Sequence, residues 1–500
     1  MARNLTAEPP LPVNEIQGDI LIGLPKRHEH LMFFEIVDPV KFKAFLKTVD
    51  ITSVQECLEK RQAIADNKAK GVQTLIPTPG LNIAFTFRGL GRLGVGGLNA
   101  ASPAFINGMA ASQAKLNDPP SGQWTILQPS NSLHGVFIVT GASHAEVVDV
   151  ISLRLVPAAG NGWHLRHEET GQVRPDPVRG HEHFGYADGV SQPGIRGTIG
   201  TSGAPLTPST GTDENQGERG QDLLWPGEFI FGYAAQDPAG PFEKKGNPRQ
   251  PPVPFMQDGA YLVFRRLAQL VPEFNASVKQ ASGNIGGAAD TATPTLLGAQ
   301  IVGRWKSGAP VILTATQDNP SFAEGTIDAN NFEFGGDREG FKCPWAAHVR
   351  KVYPRDDVPG NLTPTDAQVD AAEGFTQTHR MLRRGIAFGP EVTENEAKQQ
   401  QSAGGNLTRG LLFKCYNTSI EDQFEFVQQS WSNEVNFAQP NSGLDPIIGQ
   451  SAAPVRPFLG AAPVSGNAAN KPQLQLRGFV HLQGGAYFFA PSITQLKALP

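Results

Sequence analysis

The sequence predicts an α+β fold made of two similar units, each an antiparallel sheet with helices laid on one side. Three observations predict it. Short runs of β-branched and aromatic residues recur in both halves of the chain, and helix faces with a 3.6-residue period follow several of them. Between the two series lies residues 198–222, "GTIGTSGAPLTPSTGTDENQGERGQ", rich in Gly, Ser, Thr and Pro and without an apolar period. A chain of 500 residues is also long enough that two domains are the default. The expected division is 1–200, a linker over 201–222, and 223–500.

The first half reads as follows. "LMFFEIV" (31–37) is a strand, and Asp38-Pro39 supplies an N-cap with proline at the first helical position. Phe42, Phe45, Leu46 and Val49 then fall on one helix face. "LNIAFTF" (81–87) and "HGVFIVTG" (134–141) are strands, and Ser143-x-x-Glu146 reads as a capping box opening a helix through Val147, Val150 and Ile151. "WHLRHEE" alternates as a half-exposed fourth strand, which completes βαββαβ. In the second half "GEFIFGY" (227–233), "GAYLVFRRL" (259–267), "GLLFKCY" (410–416) and "GFVHLQGGAYFFA" read as strands. Leu270, Val271 and Phe274 mark a short helix. Ser419-x-x-Asp422 opens another, with Ile420, Phe424, Val427 and Trp431 on one face. Loops swell this half over 280–400.

Composition narrows the function classes. Apolar residues make up 39% and charged residues 18%, as in globular proteins. A net charge of −5 argues against nucleic acid or an anionic membrane as the main partner. No apolar run reaches the length of a transmembrane helix. Cys57, Cys343 and Cys415 form neither a disulfide framework nor a CxxC zinc pattern; one bridge is feasible, and buried free thiols are the favoured reading. The N-terminus lacks the charged and apolar segments of a signal peptide, which suits an intracellular protein or a mature secreted form. Sequons at Asn4, Asn275, Asn361, Asn406 and Asn417 hint at secretion and glycosylation.

Several motifs bear on chemistry. "GLGRLG" (89–94) fits G-x-G-x-x-G, but the residues after it contain no second strand to complete a dinucleotide site, so a glycine-eased short helix is expected. HEXXH, a Walker loop and G-x-S-x-G are absent, leaving hydrolase and kinase chemistry without a carrier. The stretch "GHEHFGYADGVSQPG" (180–194) sets Asp188 between two glycines, after His181 and His183. Asp188 is either an acid/base acting on a cofactor or part of a metal site with the two histidines. His348 stands in "CPWAAHVRKVYPR", and "HRMLRRGIAFGPE" brings Arg383 and Arg384, which in an apolar setting need an anionic partner such as a carboxylate, a haem propionate or a peroxide oxygen. Asp445 in "SGLDPIIG" is a candidate acceptor for the second nitrogen of a ligating histidine.

Taken together, "IQGDIL", "GYADG", "GEFIFGY", "GRWKSGAP", "AAHVRK", "RRGIAFG" and "LLFKCY" resemble, in this order, the dye-decolorizing peroxidase family, and its extended fungal branch in particular. The resemblance covers most of the chain. It implies two ferredoxin-like domains and one b-type haem held mainly by the C-terminal one. It further implies His348 as axial ligand, Asp188 and Arg383 on the opposite face, and Leu411 and Phe413 lining that face. Arg304 in "GRWKSG" would pair a propionate. Ala387 stands where the family commonly has proline, with no catalytic consequence expected.

The activity so implied is one-electron oxidation of bulky aromatic dyes and phenols by hydrogen peroxide, in a secreted monomer or dimer. Peroxide must lose a proton from one oxygen and gain one on the other, and Asp188 is suited to do both beside the positive charge of Arg383. Dyes too large for the pocket need a redox-active side chain between haem and surface, for which Trp431 and Tyr353 are candidates; a core role for Trp431 is the competing reading. Two other functions remain open at this point: a non-haem metal oxygenase using His181, His183 and Asp188, and a haem-handling protein without turnover.

Overall fold

Strand β1 (His28–Ile36) runs to Asp38, whose carboxylate accepts from the amides of Val40 and Lys41 and caps α1 (Pro39–Thr48). Helix α2 (Val54–Ala69), which the apolar pattern did not reveal, begins at a Ser53–Glu56 capping box and buries only Val54 and Cys57. Strands β2 (Gly80–Phe85) and β3 (Gly135–Gly141), helix α3 (His144–Val150) and strand β4 (Trp163–Gln172) complete the first unit. Ser143 caps α3 as expected, but the Glu146 carboxylate turns to the amides of Thr78 and Ala142, so the box is not reciprocal. The second unit has β5 (Ala260–Gln269), α4 (Val271–Asn284), α5 (His348–Val352), α6 (Asp366–Gln377), the short strands β6 (Leu382–Arg383) and β7 (Ile386–Phe388), β8 (Gly410–Asn417) and β9 (Val480–Ala490). This computed structural model describes all residues except 1–2, 157–159, 211–212, 242, 285–292, 404–406, 454 and 462–470; the Asn406 sequon and part of the expected linker lie outside the described residues.

Both units share one strand order. The first runs β2-β3-β1-β4 and the second β6/β7-β8-β5-β9, each placing its second, third, first and fourth strands side by side as in a ferredoxin-like sheet. Strand β9 pairs with β2 through Phe489 and Phe85, which joins the units into one nine-stranded sheet. The far edges also meet. A Cβ placed on Gly171 of β4 would lie 2.4 Å from Ile386 Cγ2 and 3.0 Å from the Ala387 carbonyl of β7, so the sheet curls into a barrel.

Alternation along the strands then makes two cores. Phe33, Phe264 and Phe488 pack inside the barrel, with ring centroids 5.1 and 6.1 Å from Phe33. Phe34, Phe42, Phe45, Phe85 and Phe137 pack between the first unit's sheet and its helices, the face that the sequence marked on α1. Inside the barrel, Lys414 Nζ donates to Asp19 (2.8 Å) and Glu29 (2.6 Å), a buried ionic group on the side of β8 opposite Leu411 and Phe413.

Some expectations fail. "GEFIFGY" is not a strand: Pro226–Glu228 is a single 3₁₀ turn, and Phe229 and Ile230 are buried in the irregular segment that follows. Its apolar run satisfies burial without a sheet partner. The helix after Ser419 is π-helical over Ile420–Glu425 and Val427–Ser432. Within 198–222, Thr198–Ile199 pairs with Pro10–Leu11 and with Ala204–Pro205. All three cysteines are free and buried. Asn417 is fully buried in β8, which removes it as a glycan acceptor, while Asn4 and Asn275 are exposed.

Candidate active site

One cavity of about 1500 Å³, its open mouth included, brings together side chains from five separated stretches. Asp188 and Val190 come from the 180–194 loop, Arg304 from the turn at 303–308, His348 and Val349 from the start of α5, and Arg383, Leu411 and Phe413 from β6 and β8. Leu411 and Phe413 share the cavity face because they alternate along β8.

His348 sits at the first position of α5. Its Nδ1 lies 2.8 Å from Asp445 Oδ2, and among the described residues Nε2 makes no hydrogen bond. Asp445 is fully buried, and its other oxygen accepts from the amides of Ile447 (2.8 Å) and Ile448 (3.0 Å). A carboxylate so held fixes the ring orientation and directs the Nε2 lone pair outward, the support that a ligating histidine needs.

Asp188 and Arg383 approach at 3.7 Å, Oδ1 to Nη1, which is too long for a direct hydrogen bond and leaves both groups capacity for a ligand. Arg383 is held elsewhere. Its Nη2 donates to the Ser191 carbonyl at 3.0 Å, and its main chain is clamped at both N–H and C=O by the Gln192 amide. Gly185 and Gly189 flank the loop with φ of +94° and +75°. Their backbone conformation, more than the space around them, calls for glycine: a Cβ at Gly189 would meet nothing within 4 Å.

Arg304 is buried, with Nη1 donating to the carbonyls of Gly308 (2.9 Å) and Ala329 (2.6 Å) and Nη2 without a partner among the described residues. Burial first, then the neighbouring Arg355 and Arg383, lower its pKa to about 9. A buried guanidinium with an orphaned donor in a cavity wall fits a carboxylate ligand such as a haem propionate. The apolar walls, the outward Nε2 of His348 and this orphaned donor together fit haem.

His181 and His183 do not form a metal site. Both ring nitrogens of His181 contact carbonyls, of Arg179 (3.1 Å) and Lys306 (3.0 Å). His183 is buried, bonds the Phe388 carbonyl at 2.8 Å, and has its pKa lowered by burial to about 4. Among the described residues no group of three His, Cys, Asp or Glu could hold an ion. Arg384 is also reassigned: its guanidinium donates to the main-chain carbonyls of Asp19, Ile20, Leu21 and Arg383 rather than to an anion.

Tyr353 lines the cavity, donates to Asp222, accepts from Gln377 Nε2 at 2.8 Å and lies 3.7 Å beneath the Arg380 guanidinium. Trp431 is only 3% exposed and does not reach the surface. It stacks on Phe437 at 5.4 Å and meets His379 edge-on at 5.1 Å; His379 lines the cavity and also touches the half-exposed Phe375 at 4.5 Å.

Sequence reasoning missed Glu182, Gln269 and His379, all of which line the cavity. Burial pushes the Glu182 pKa up, against hydrogen bonds from the Tyr186 and Phe184 amides and Gln269 that favour the ionised form. His379 has its pKa lowered to about 4 by burial. The only prior signal for Glu182 was its place between the two histidines that drew attention to the loop.

Comparison with known proteins agrees with this geometry. Residues 15–175 match the family model described as the DyP dimeric alpha+beta barrel domain. The dye-decolorizing peroxidase msp1 of Mycetinis scorodonius is 34% identical over 98% of this chain and 88% of its own. The dye-decolorizing peroxidase AauDyP1 of Auricularia auricula-judae is 33% identical over 99% and 90%. Among solved structures, an ancestral D-type dye-decolorizing peroxidase superposes with a TM-score of 0.79 at 36% identity, over 98% of this chain and 99% of that one. A point mutant of the dye-decolorizing peroxidase from Pleurotus ostreatus gives 0.78 at 34% identity, with the same coverage.

Proposed function

The chain belongs to the dye-decolorizing peroxidase family, and from that premise we propose that Asp188 and Arg383 form the pair that handles peroxide, with His348 as the residue that would hold the iron of haem b. The activity is that of a haem peroxidase, with hydrogen peroxide as oxidant and aromatic dyes as reductants. When bound, haem supplies the iron that takes up peroxide and the means to store its two oxidising equivalents. His348 Nε2 would hold the iron, with its ring oriented by Asp445 at Nδ1, and Arg304 would take a propionate. Leu411 and Phe413 keep water from the peroxide face. Asp188 accepts a proton from one peroxide oxygen and returns it to the other, while the Arg383 guanidinium stabilises negative charge on the departing oxygen.

A single observation carries this reading: Asp188, Arg383, His348 and Arg304, distant in sequence, line one cavity. For dyes that do not fit that cavity, Trp431 is the favoured relay, supported by its edge contact with a histidine of the cavity wall; Tyr353, hydrogen-bonded to a carboxylate, is the second. Division of the chain into 1–200 and 223–500 is supported by the two strand sets, four strands in the first unit and five in the second. Secretion is supported by the exposed sequons at Asn4 and Asn275, and no described helix is long and apolar enough to cross a membrane.

The purified protein loaded with haem is expected to show a Soret band that changes on adding peroxide and recovers as an aromatic dye is bleached. A Soret band indifferent to peroxide would contradict turnover and leave only haem binding.

A further inference from the structure

We propose that Glu182 is the positioning residue for Asp188: the loop carrying the proton-transferring carboxylate is folded around the Glu182 side chain. The inference rests on the assignment of Asp188 above. Glu182 Oε2 accepts from the Phe184 amide at 2.8 Å and from Gln269 Nε2 at 2.5 Å, and Oε1 accepts from the Tyr186 amide at 2.9 Å. Its own backbone closes the same turn, with Glu182 N–H donating to Tyr186 O (3.0 Å) and Gly185 N–H to Glu182 O (2.8 Å).

The consequence is an alternation. Phe184 and Tyr186, held by the carboxylate, are buried, Phe184 against Phe274 at 4.4 Å, and Asp188 emerges two residues later in the cavity. Beyond Tyr186, among the described residues, only two backbone bonds fix the acid, from Ala187 N–H to Lys306 O (3.1 Å) and from Asp188 N–H to Gly180 O (2.9 Å). The Asp188 side chain adds only the adjacent Gly189 amide and the long approach to Arg383. Its placement is therefore inherited from the turn. Gln269 ends β5 of the second unit, so the contact also ties the acid-bearing loop to the unit that carries His348 and Arg383.

Three N–H donors converge on two oxygens. In Glu182→Gln one oxygen becomes an NH₂ group, and at least one loop amide then faces a donor. A displacement of about 1 Å is enough to cost on the order of 10²-fold in rate.

The test uses the haem-loaded enzyme, stopped-flow reaction with peroxide, and amide hydrogen exchange over residues 182–189. Glu182→Gln is expected to react about 10²-fold more slowly, with exchange rising at Phe184 and Tyr186. In the double variant with Asp188→Asn, the rate is expected to be no lower than in Asp188→Asn alone, because Glu182 acts through Asp188. A double variant slower by the full Glu182→Gln factor, or a single variant at the wild-type rate, overturns the proposal. Should Glu182→Gln fail to hold haem, Gln269→Leu decides: slowed peroxide reaction that vanishes on the Asp188→Asn background supports it, and an unchanged rate overturns it. Asp188→Asn reacting at the wild-type rate would remove the assignment of the acid itself. A slow Asp188→Asn beside a normal Glu182→Gln removes only this inference.

Discussion

His348 joins two kinds of holding. Asp445 fixes Nδ1 at 2.8 Å and is itself fixed by the amides of Ile447 and Ile448, so the imidazole presents one nitrogen in one direction. If His348 is the residue that holds the iron, removing the ring removes that bond. His348→Ala is therefore expected to leave a folded chain with little or no haem, read as loss of the Soret band with an unchanged far-ultraviolet circular dichroism spectrum; full haem occupancy would refute the ligand assignment. At this scale the sequence was informative where chemistry is carried by rare residue types. Asp188, His348, Arg383 and Asp445 were singled out from their stretches and Arg304 by the family resemblance, and all five meet in or beside one cavity. Glu182 and His379 were not, because an acceptor of backbone amides and a neutral histidine stacked on Phe426 at 4.0 Å leave no motif behind.

Elements were legible in proportion to their periodicity. Helix α1 announced itself through Asp38-Pro39 and a four-residue apolar face, whereas α2, with two buried residues, left only its capping box. "GEFIFGY" misled because a buried irregular turn and a buried strand have the same composition. Glu228 within that turn carries a measurable consequence. It is fully buried, one oxygen accepts from Gln236 N–H at 2.9 Å, and the other makes no hydrogen bond among the described residues but faces Arg249 Nη2 at 3.9 Å; burial, against that positive charge, raises its pKa from 4.5 to about 7. The folded chain thus keeps a proton that the unfolded chain releases. Its contribution to stability is complete below about pH 4.5 and is lost as pH rises through about 7, at roughly 1.4 kcal/mol per pK unit. Melting temperatures of Glu228→Gln are expected to fall less than those of the wild type between pH 5 and 8; parallel curves would contradict this. The π-helical segment after β8 carries Trp431, which is buried among Phe426, Phe437 and His379. Trp431→Phe keeps most of the volume and removes the readily oxidised ring. Bulky-dye turnover is expected to drop severalfold or more, with melting temperature and reaction toward peroxide unchanged. Intact dye turnover would return Trp431 to a core role.

In the whole molecule, duplication was readable as two similar series of elements, but closure was not. Joining β9 to β2 depends on one residue pair, and the approach of β4 to β7 depends on a glycine that admits Ile386. Neither leaves a periodic signal, since both are set by how two finished sheets meet. Closure matters for function because it gives β8 two chemically distinct sides. Leu411 and Phe413 face the cavity, while Lys414 and Tyr416 face the barrel, where Lys414 pairs with Asp19 and Glu29 and Tyr416 donates to Asp19. Asp188 of the first unit lies 3.7 Å from Arg383 of the second and lines the same cavity as His348. Stopped-flow mixing of the haem-loaded enzyme with peroxide under acidic conditions tests this most directly, comparing wild type with Asp188→Asn and Arg383→Leu. Both variants are predicted to keep the Soret band and to react about 10²–10⁴-fold more slowly; wild-type rates in both, with haem retained, would contradict the assignment of the pair.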